Sequence, residues 1–341
     1  MPPEGRGWGA FGAYSLAGDL PREQALAVLE ARMAELEDRT ELSSAEKTAE
    51  RAKLRAAWTS TARQIYSELQ PWETVFVARH PRRPLIRDYI HHLVTDFCEL
   101  HGDRVFGDDP AIVTGFGFIA ERRVMLVGQN RGHSLDERKA CNFGCAHPEG
   151  YRKAISKMRL AAKFGVPIVS LIDTPGAFPG MESEERGIAL AIAENLKAMP
   201  QLPVPIVSVV IGEGGSGGAL GIGVADRMGM LEHSIFSVIS PEGCAAILWK
   251  TSTQAHAAAA ALKLQAGDLL GQGLIDEIIP EPPGGAHRDH AAAATALQHF
   301  VVSALDELGS LSPEELLARR YQRLRDMGSQ FECALQKRYS A

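Results

Sequence analysis

The residues best suited to chemistry in this chain are the glycines at 212, 214, 215, 217 and 218, interleaved with Glu213 and Ser216. They follow an apolar run, Pro205-Ile206-Val207-Ser208-Val209-Val210-Ile211, and open a segment rich in Ala, Leu and Ile. A buried strand that runs into glycines and then into a helix start aims several backbone N–H groups at one point, and without β-carbons a ligand can approach them closely. That is the geometry of an anion or oxyanion site. A second segment of the same design lies upstream: strand-like Val166 to Ile172, the turn Asp173-Thr174-Pro175-Gly176-Ala177-Phe178-Pro179-Gly180, and then a helix. Two strand-to-glycine-to-helix units imply a repeated architecture with its site at the turns.

Other chemistries compete for the same residues. Gly214-Gly215-Ser216-Gly217-Gly218 matches the G-x-S-x-G nucleophile elbow of a serine hydrolase. Its acid would be drafted from Asp226, Asp268 or Asp276 and its base from His287, His290 or His299, none of which a strand-end pattern places. Glycines acting as donors are the favoured reading, and a tight turn with no chemistry is the plain one. Asp173-Thr174-Pro175-Gly176 copies the magnesium-side motif of many GTPases, but the phosphate loop would need Gly-Lys, which the chain lacks. Cys141 and Cys145 have a metal-compatible spacing without a second pair. Arg152, Lys153, Lys157, Arg159 and Lys163 spread along one helix, where a solvated face is expected before a phosphate site. The clusters Arg79, Arg82, Arg83, Arg87 and Arg319, Arg320, Arg323, Arg325 are expected to pair with acidic groups of this chain or of a partner.

The elements that must position these residues follow from periodicity. Leu26, Leu29, Met33 and Leu36 recur at helical steps, and Ser43-Ser44-Ala45-Glu46 can end one helix and cap another, so Pro21 to Leu69 reads as an antiparallel helical hairpin that packs on the main body or on a partner. Pro71 to Pro84 reads as a connector and Leu85 to Leu100 as helix; Ala111 to Ile119 and Val124 to Gly128 read as paired strands, and Gln129 to Phe143 as a polar loop. Pro148 opens a helix that Gly165 stops. Strand material at Met228 to Ile239, a helix from Ser240-Pro241, alanine-rich helix from Ala255 to Gln265, a short strand at Gly273 to Ile279, and helices at His290 to Leu308 and Pro313 to Lys337 complete an α/β chain with partly parallel strands.

At 341 residues, with 45% apolar residues, the chain can bury a large core. Its net charge of −6 argues against general nucleic-acid affinity. Its five scattered cysteines suit reduced thiols, and no apolar run approaches the roughly 18 residues of a membrane span, so a cytoplasmic protein is expected.

Matched in order, several segments are more specific than any one motif: Ala78-Arg79-His80-Pro81, Gly102-Asp103-Arg104, Pro148-Glu149-Gly150-Tyr151-Arg152-Lys153-Ala154, Ile172 to Ala177 with Glu184-Glu185-Arg186-Gly187, the 212 to 220 glycine run, Ser237 to Ala245, Leu248-Trp249-Lys250, Leu274-Ile275-Asp276, and Ile278 to Pro282 through Gly284-Gly285-Ala286-His287-Arg288. Over about residues 22 to 327 the chain resembles the alpha subunits of bacterial acetyl-coenzyme A carboxylase carboxyltransferase; it departs from them at the N-terminus, at Gln129 to Cys145 and at Ala255 to Gly271.

The resemblance implies a crotonase-like (ClpP/crotonase) spiral of β-β-α repeats with an N-terminal helical extension. The corresponding division is an arm at 1–20, helical extension and connector at 21–84, carboxyltransferase domain at 85–290 and C-terminal helices at 291–341. It implies an alpha2beta2 enzyme whose site lies between an alpha and a beta chain, working with biotin carboxyl carrier protein and biotin carboxylase. Carboxybiotin and acetyl-CoA are the implied reactants, malonyl-CoA the product, and zinc belongs to the beta chain, so no metal is expected here. The backbone N–H groups of Gly217 and Gly218 correspond to the family's oxyanion hole for the biotin ureido oxygen, with Gly214, Gly215, Ser216, Ala219, Gly176 and Ala177 lining the substrate pocket.

Overall fold

The computed structural model describes residues 20–39 and 41–329, so the expected arm at 1–20 and the end of the Pro313 helix beyond Ser329 lie outside the described residues, Leu20 excepted. The chain begins with the expected hairpin, α1 (Gln24–Asp38) and α2 (Ser44–Ser67), joined through a capping box in which Glu46 N donates to Ser43 Oγ and Ser43 N to the Glu46 carboxylate. Its base packs on its own chain. Arg288 reaches back to Glu23 at 3.0 Å and Glu30 at 2.9 Å, and the Tyr66 hydroxyl donates to Glu23 at 2.7 Å.

Two expected elements differ. Pro71 to Pro84 is not only a connector: Pro71 occupies the first turn of α3 (Pro71–Ala78), where its missing N–H costs nothing, and Glu73 accepts from Gln70 N. The Leu85 to Leu100 helix stops halfway, at α4 (Ile86–Leu93), and becomes β1 (Val94–Glu99). Strand pairing overrides local helical pattern there, because β1 runs antiparallel to β2 (Ile112–Ile119), with Gly115 and Gly117 letting Phe97 and Val94 press onto the sheet.

β3 (Arg122–Gln129) pairs antiparallel with β2 and carries the sheet on. The polar loop that follows contains a short helix, α5 (Leu135–Ala140). Then come α6 (Pro148–Lys163), β4 (Ile168–Thr174), α7 (Met181–Glu185), α8 (Ile188–Ala198), β5 (Ile206–Gly215), α9 (Ser216–Gly223), β6 (Arg227–Leu231) and β7 (Ile235–Ser237). The chain closes through α10 (Pro241–Trp249), α11 (Ala255–Leu262), α12 (Ala266–Gly271), β8 (Glu277–Ile279), α13 (His290–Gly309) and α14 (Pro313–Asp326).

The strands make one sheet in the order β1-β2-β3-β4-β5-β6-β8, with β7 paired beside the C-terminal end of β5. From β3 onward the pairing is parallel. β4 and β5 are buried along their whole length, as parallel strands covered on both faces are. Alternate side chains divide accordingly. Ile168, Ile172, Ile206 and Val210 join the core under α6, α8 and α9, while Val169, Leu171, Val207 and Val209 join the core under α4 and α13.

Ion pairs fasten the outer helices, as expected for Arg83, Arg320 and Arg323 of the arginine clusters. Arg320 of α14 is fully buried and holds Asp226 at 2.6 Å while donating to the carbonyls of Met199, Leu202 and Val204. Arg83 holds Glu281 at 2.5 Å, and Arg323 holds Asp276 at 3.0 Å. Burial alone would raise the Glu281 carboxyl, but the Arg83 guanidinium wins and holds it at about 2. No helix among the described residues is long and apolar enough to cross a membrane.

Candidate functional site

Both glycine turns sit at the C-terminal ends of adjacent parallel strands, which is where open α/β sheets leave a crevice. Thr174 of β4 pairs with Gly214 of β5, and the chain after each strand turns toward the same side. Helix α9 starts at Ser216 with Gly215 as its N-cap and no side-chain cap, so its first-turn amides, those of Gly217 and Gly218 included, lack the capping oxygen that usually occupies such donors. Ser216 itself adopts a φ of +50° and is half-buried.

The glycines are glycines for two different reasons, which corrects the simple picture of a bare run open to a ligand. A β-carbon on Gly218 would lie 2.5 Å from the Gly176 carbonyl carbon and 2.6 Å from the Ala177 nitrogen; on Gly215 it would lie 2.2 Å from the Pro175 oxygen. On Gly212 and Gly214 it would strike the Asp173 carboxylate and the Phe236 ring. These four are small because the neighbouring turn or strand occupies their space. Gly217 and Gly176 differ: among the described residues nothing comes nearer than 3.8 Å to a β-carbon on Gly217, and nothing comes within 4 Å of one on Gly176. The structure thus brings Gly218, Gly176 and Ala177 into contact and leaves Gly217 and Gly176 facing outward. Gly214, Gly215 and Ala219 are buried behind them.

Side chains from β3, β4, α6 and α8 hold this arrangement. Gln129, the fully buried last residue of β3, donates from Nε2 to the Gly218 carbonyl at 2.8 Å and accepts the Asp173 N–H at 3.0 Å. The Tyr151 hydroxyl of α6 donates to the same carbonyl at 3.3 Å. Thr174 Oγ1 lies within hydrogen-bond distance of the Gly144 and Gly176 carbonyls, to one of which its single proton is donated, and it accepts the Gly176 N–H at 3.1 Å, so the second half of the Asp-Thr-Pro-Gly motif serves as a turn pin. Asn195 of α8 donates to the Gly221 and Tyr151 carbonyls. Gln129 stood at the head of a supposed loop; the only sequence signal for it was that a glutamine ends an otherwise apolar strand.

A charged cluster lies beneath the turns. Glu213 is held by Arg79 at 2.6 Å and Arg131 at 3.2 Å, Arg131 also reaches Asp173 at 3.2 Å, and Arg79 continues to Glu242 at 2.7 Å. Burial pushes the Glu213 carboxyl up, yet the two guanidinium groups outweigh it and keep it below the usual carboxylate range. At Asp173 burial prevails over Arg131 and raises the carboxyl. Asp173 also accepts the Glu213 N–H at 3.0 Å, which ties the ends of β4 and β5 together.

The rival chemistries do not assemble. Asp226 accepts from Ile206 N, at the opposite end of β5 from Ser216, which for a strand of ten residues is about 30 Å away, and Asp276 likewise caps the start of β6 through Met228 N. Asp268 lies beside Lys263 at 3.9 Å, His290 bonds the Arg82 carbonyl, and His299 is exposed on α13. His287 stacks on His80 with ring centroids 3.9 Å apart. Cys141 and Cys145 are buried thiols, which burial pushes up to about 11 and about 12 respectively, and no further His, Cys, Asp or Glu among the described residues joins them in a metal-compatible group. Of the α6 cations, Arg159 and Lys163 are exposed, as a solvated face requires, but the other three are not free: Lys153 is buried against Asp108 at 2.5 Å, Arg152 holds Asp103 at 2.7 Å, and Lys157 Nζ donates to the Gly102 carbonyl, all fixing the 102–109 loop.

The family model for acetyl co-enzyme A carboxylase carboxyltransferase-like proteins matches residues 19–328. The chain belongs to this carboxyltransferase family, and it is a transferase. A family relative from Rhodopirellula baltica, named acetyl-coenzyme A carboxylase carboxyl transferase subunit alpha, is 49% identical over 306 residues, covering 90% of this chain and 96% of its own. Another alpha subunit of that name, from Geobacter sulfurreducens, is 54% identical over 263 residues, covering 77% and 82%. Among solved structures, a Pseudomonas malonate decarboxylase hetero-tetramer in complex with coenzyme A superposes with a TM-score of 0.53 at 15% identity, covering 68% of this chain and 93% of its own. Transcarboxylase 12S superposes at 0.51 and 23% identity, covering 64% of this chain and 41% of its own, so this carboxyltransferase-family chain spans under half of that one. These likenesses show the crotonase-like fold.

Proposed function

We propose that this member of the family is the alpha half of a carboxyltransferase that passes the carboxyl group of carboxybiotin to acetyl-CoA, giving malonyl-CoA, the first committed step of fatty acid biosynthesis. The observation that carries the reading is the start of α9: amides without a side-chain cap at Gly217 and Gly218, facing a second glycine turn whose Gly176 opens to free space. Carboxybiotin, carried on biotin carboxyl carrier protein and charged by biotin carboxylase, supplies the carboxyl group and, on releasing it, a ureido nitrogen able to take the methyl proton of acetyl-CoA.

On this reading, the Gly217 and Gly218 amides, helped by Ala219, hold the ureido oxygen as negative charge gathers on it, aided by the positive end of the α9 dipole. Gly176 and Ala177 form the facing wall, and Gly214, Gly215 and Ser216 shape the strand end behind the amides. Such a guest has room where a side chain is missing, at Gly176 and Gly217, the positions that open outward. Loss of one oxyanion donor costs about 2.7–4 kcal/mol of barrier.

The thioester oxygen and the CoA chain are assigned to a beta subunit in an alpha2beta2 assembly. Met181, Leu190 and Leu220 on α7, α8 and α9, and Ile247, Leu248 and Trp249 on α10, are exposed apolar side chains on the helices around the turns, a surface suited to a partner. The described cysteines are free, as in a reducing cytoplasm.

The test is to copurify the chain with a beta subunit and measure malonyl-CoA-dependent carboxylation of free biotin. Activity is expected of the pair, and Gly217→Val, which crowds the amides without striking backbone, is expected to lower it at least 100-fold with the complex intact. A complex that assembles but transfers nothing overturns the function; a fully active Gly217→Val overturns the site.

A further inference from the structure

Gln129 bonds the main chain of both glycine units at once. Its amide oxygen takes the N–H of Asp173, where the first turn begins, and its amide nitrogen gives to the carbonyl of Gly218, in the first turn of α9. It stands at the end of β3 with no exposure, and Tyr151 adds a second donor to the same carbonyl. That carbonyl belongs to the peptide unit that carries the Ala219 N–H, and its carbon is bonded to the Gly218 Cα.

We propose, on the carboxyltransferase reading above, that Gln129 is a positioning residue for the transfer. It fixes the Gly218–Ala219 peptide plane, and with it the aim of the α9 amides, against the Gly176–Ala177 turn. The side chain does so with both of its functional groups: the oxygen anchors the glutamine to β4, and the nitrogen holds the Gly218 carbonyl, which fixes the peptide directly behind the Gly217 and Gly218 amides. A carbonyl that accepts two side-chain donors also polarises its own amide, which strengthens the N–H as a donor. A displacement of about 1 Å in such a donor is enough to cost up to about 100-fold in rate.

Two variants separate positioning from mere support of the fold. Gln129→Met keeps the volume and removes both bonds. Gln129→Glu keeps an acceptor for Asp173 N–H and replaces the amide donor by a carboxyl group that can donate to the Gly218 carbonyl only when protonated. The introduced carboxyl would be buried near Asp173 and Glu213, which favour the protonated form, with Arg131 and Arg79 opposing them.

Each variant is purified as the full chain in complex with the beta subunit, checked for assembly, and assayed well below its unfolding temperature with malonyl-CoA and free biotin. For Gln129→Met, kcat is expected to fall about 10- to 100-fold with the KM for malonyl-CoA unchanged. For Gln129→Glu, the ratio of its rate to that of the unsubstituted complex is expected to fall as pH rises, because the proton that restores the donor is lost. Unchanged kcat per assembled complex in Gln129→Met, or a rate ratio for Gln129→Glu that is flat with pH, overturns the positioning role. An unsubstituted complex that carries out no transfer overturns the functional reading itself and this proposal with it.

Discussion

Adjacent glycines in the first turn of α9 should respond oppositely to the same methyl group. At Gly218 a new β-carbon lands 2.5 Å and 2.6 Å from backbone atoms of Gly176 and Ala177, about 1 Å inside ordinary contact, and the turn it strikes is pinned through Thr174 Oγ1. Overpacking of that kind costs about 1–3 kcal/mol. The same substitution relieves the backbone entropy of a helical glycine and returns about 0.5–1 kcal/mol, so Gly218→Ala should lose up to about 2.5 kcal/mol net. At Gly217 the nearest atom is the Ile192 Cδ1 at 3.8 Å, so only the gain remains. The two variants should differ by about the overpacking cost, which in a chain of this size is about 1–4 °C in melting temperature. Thermal unfolding of the full-length variants, followed by circular dichroism in one buffer, measures it. Equal melting temperatures, or a Gly218→Ala chain more stable than Gly217→Ala, would refute the claim that the two glycine turns touch. The same steric clash makes substitution at Gly217, and not at Gly218, the clean way to crowd the amides.

Two further outcomes follow from buried charge. Arg320→Ala leaves Asp226 and the carbonyls of Met199, Leu202 and Val204 without their partner, and should destabilise the fold by about 3–5 kcal/mol, read by denaturant unfolding; a loss under about 1 kcal/mol would mean that α14 is not held by this pair. His287 is buried with neither ring nitrogen bonded among the described residues, and burial, with His80 next, pulls it from 6.5 down to about 2. It is therefore neutral in the folded chain and takes a proton in the unfolded one. Its contribution is complete above pH 6.5 and is lost as pH falls, by about 1.4 kcal/mol per pH unit well below 6.5. His287→Phe should flatten stability against pH between about 6.5 and 5, and an unchanged slope would count against the neutral assignment.

The two strand-to-turn-to-helix units were legible in the sequence because parallel strands buried on both faces read as continuous apolar runs, and because helix starts carry local marks: Pro148, Pro241 and Pro313 each stand in a first turn. Ser43 with Glu46 announced α2 for the same reason. Where local pattern and long-range pairing disagreed, pairing won. Val94 to Glu99 continued a helical period on paper, but the free edge of β2 offered it a ladder of backbone bonds.

Within the site, the sequence by itself determined that glycines would gather at the mouth of a helix after a buried strand. Which of them face outward was decided by tertiary structure alone, since Gly212, Gly214, Gly215 and Gly218 are filled by Asp173, Phe236, Pro175 and Gly176 from other segments. The same holds for the polar support: Gln129 reaches across 89 residues to Gly218, and Arg79 across 134 to Glu213. Local periodicity reports on neighbours a few positions apart, because it reflects which face of one element is buried. A hydrogen bond between distant strands depends on register and sheet order, which no local window contains.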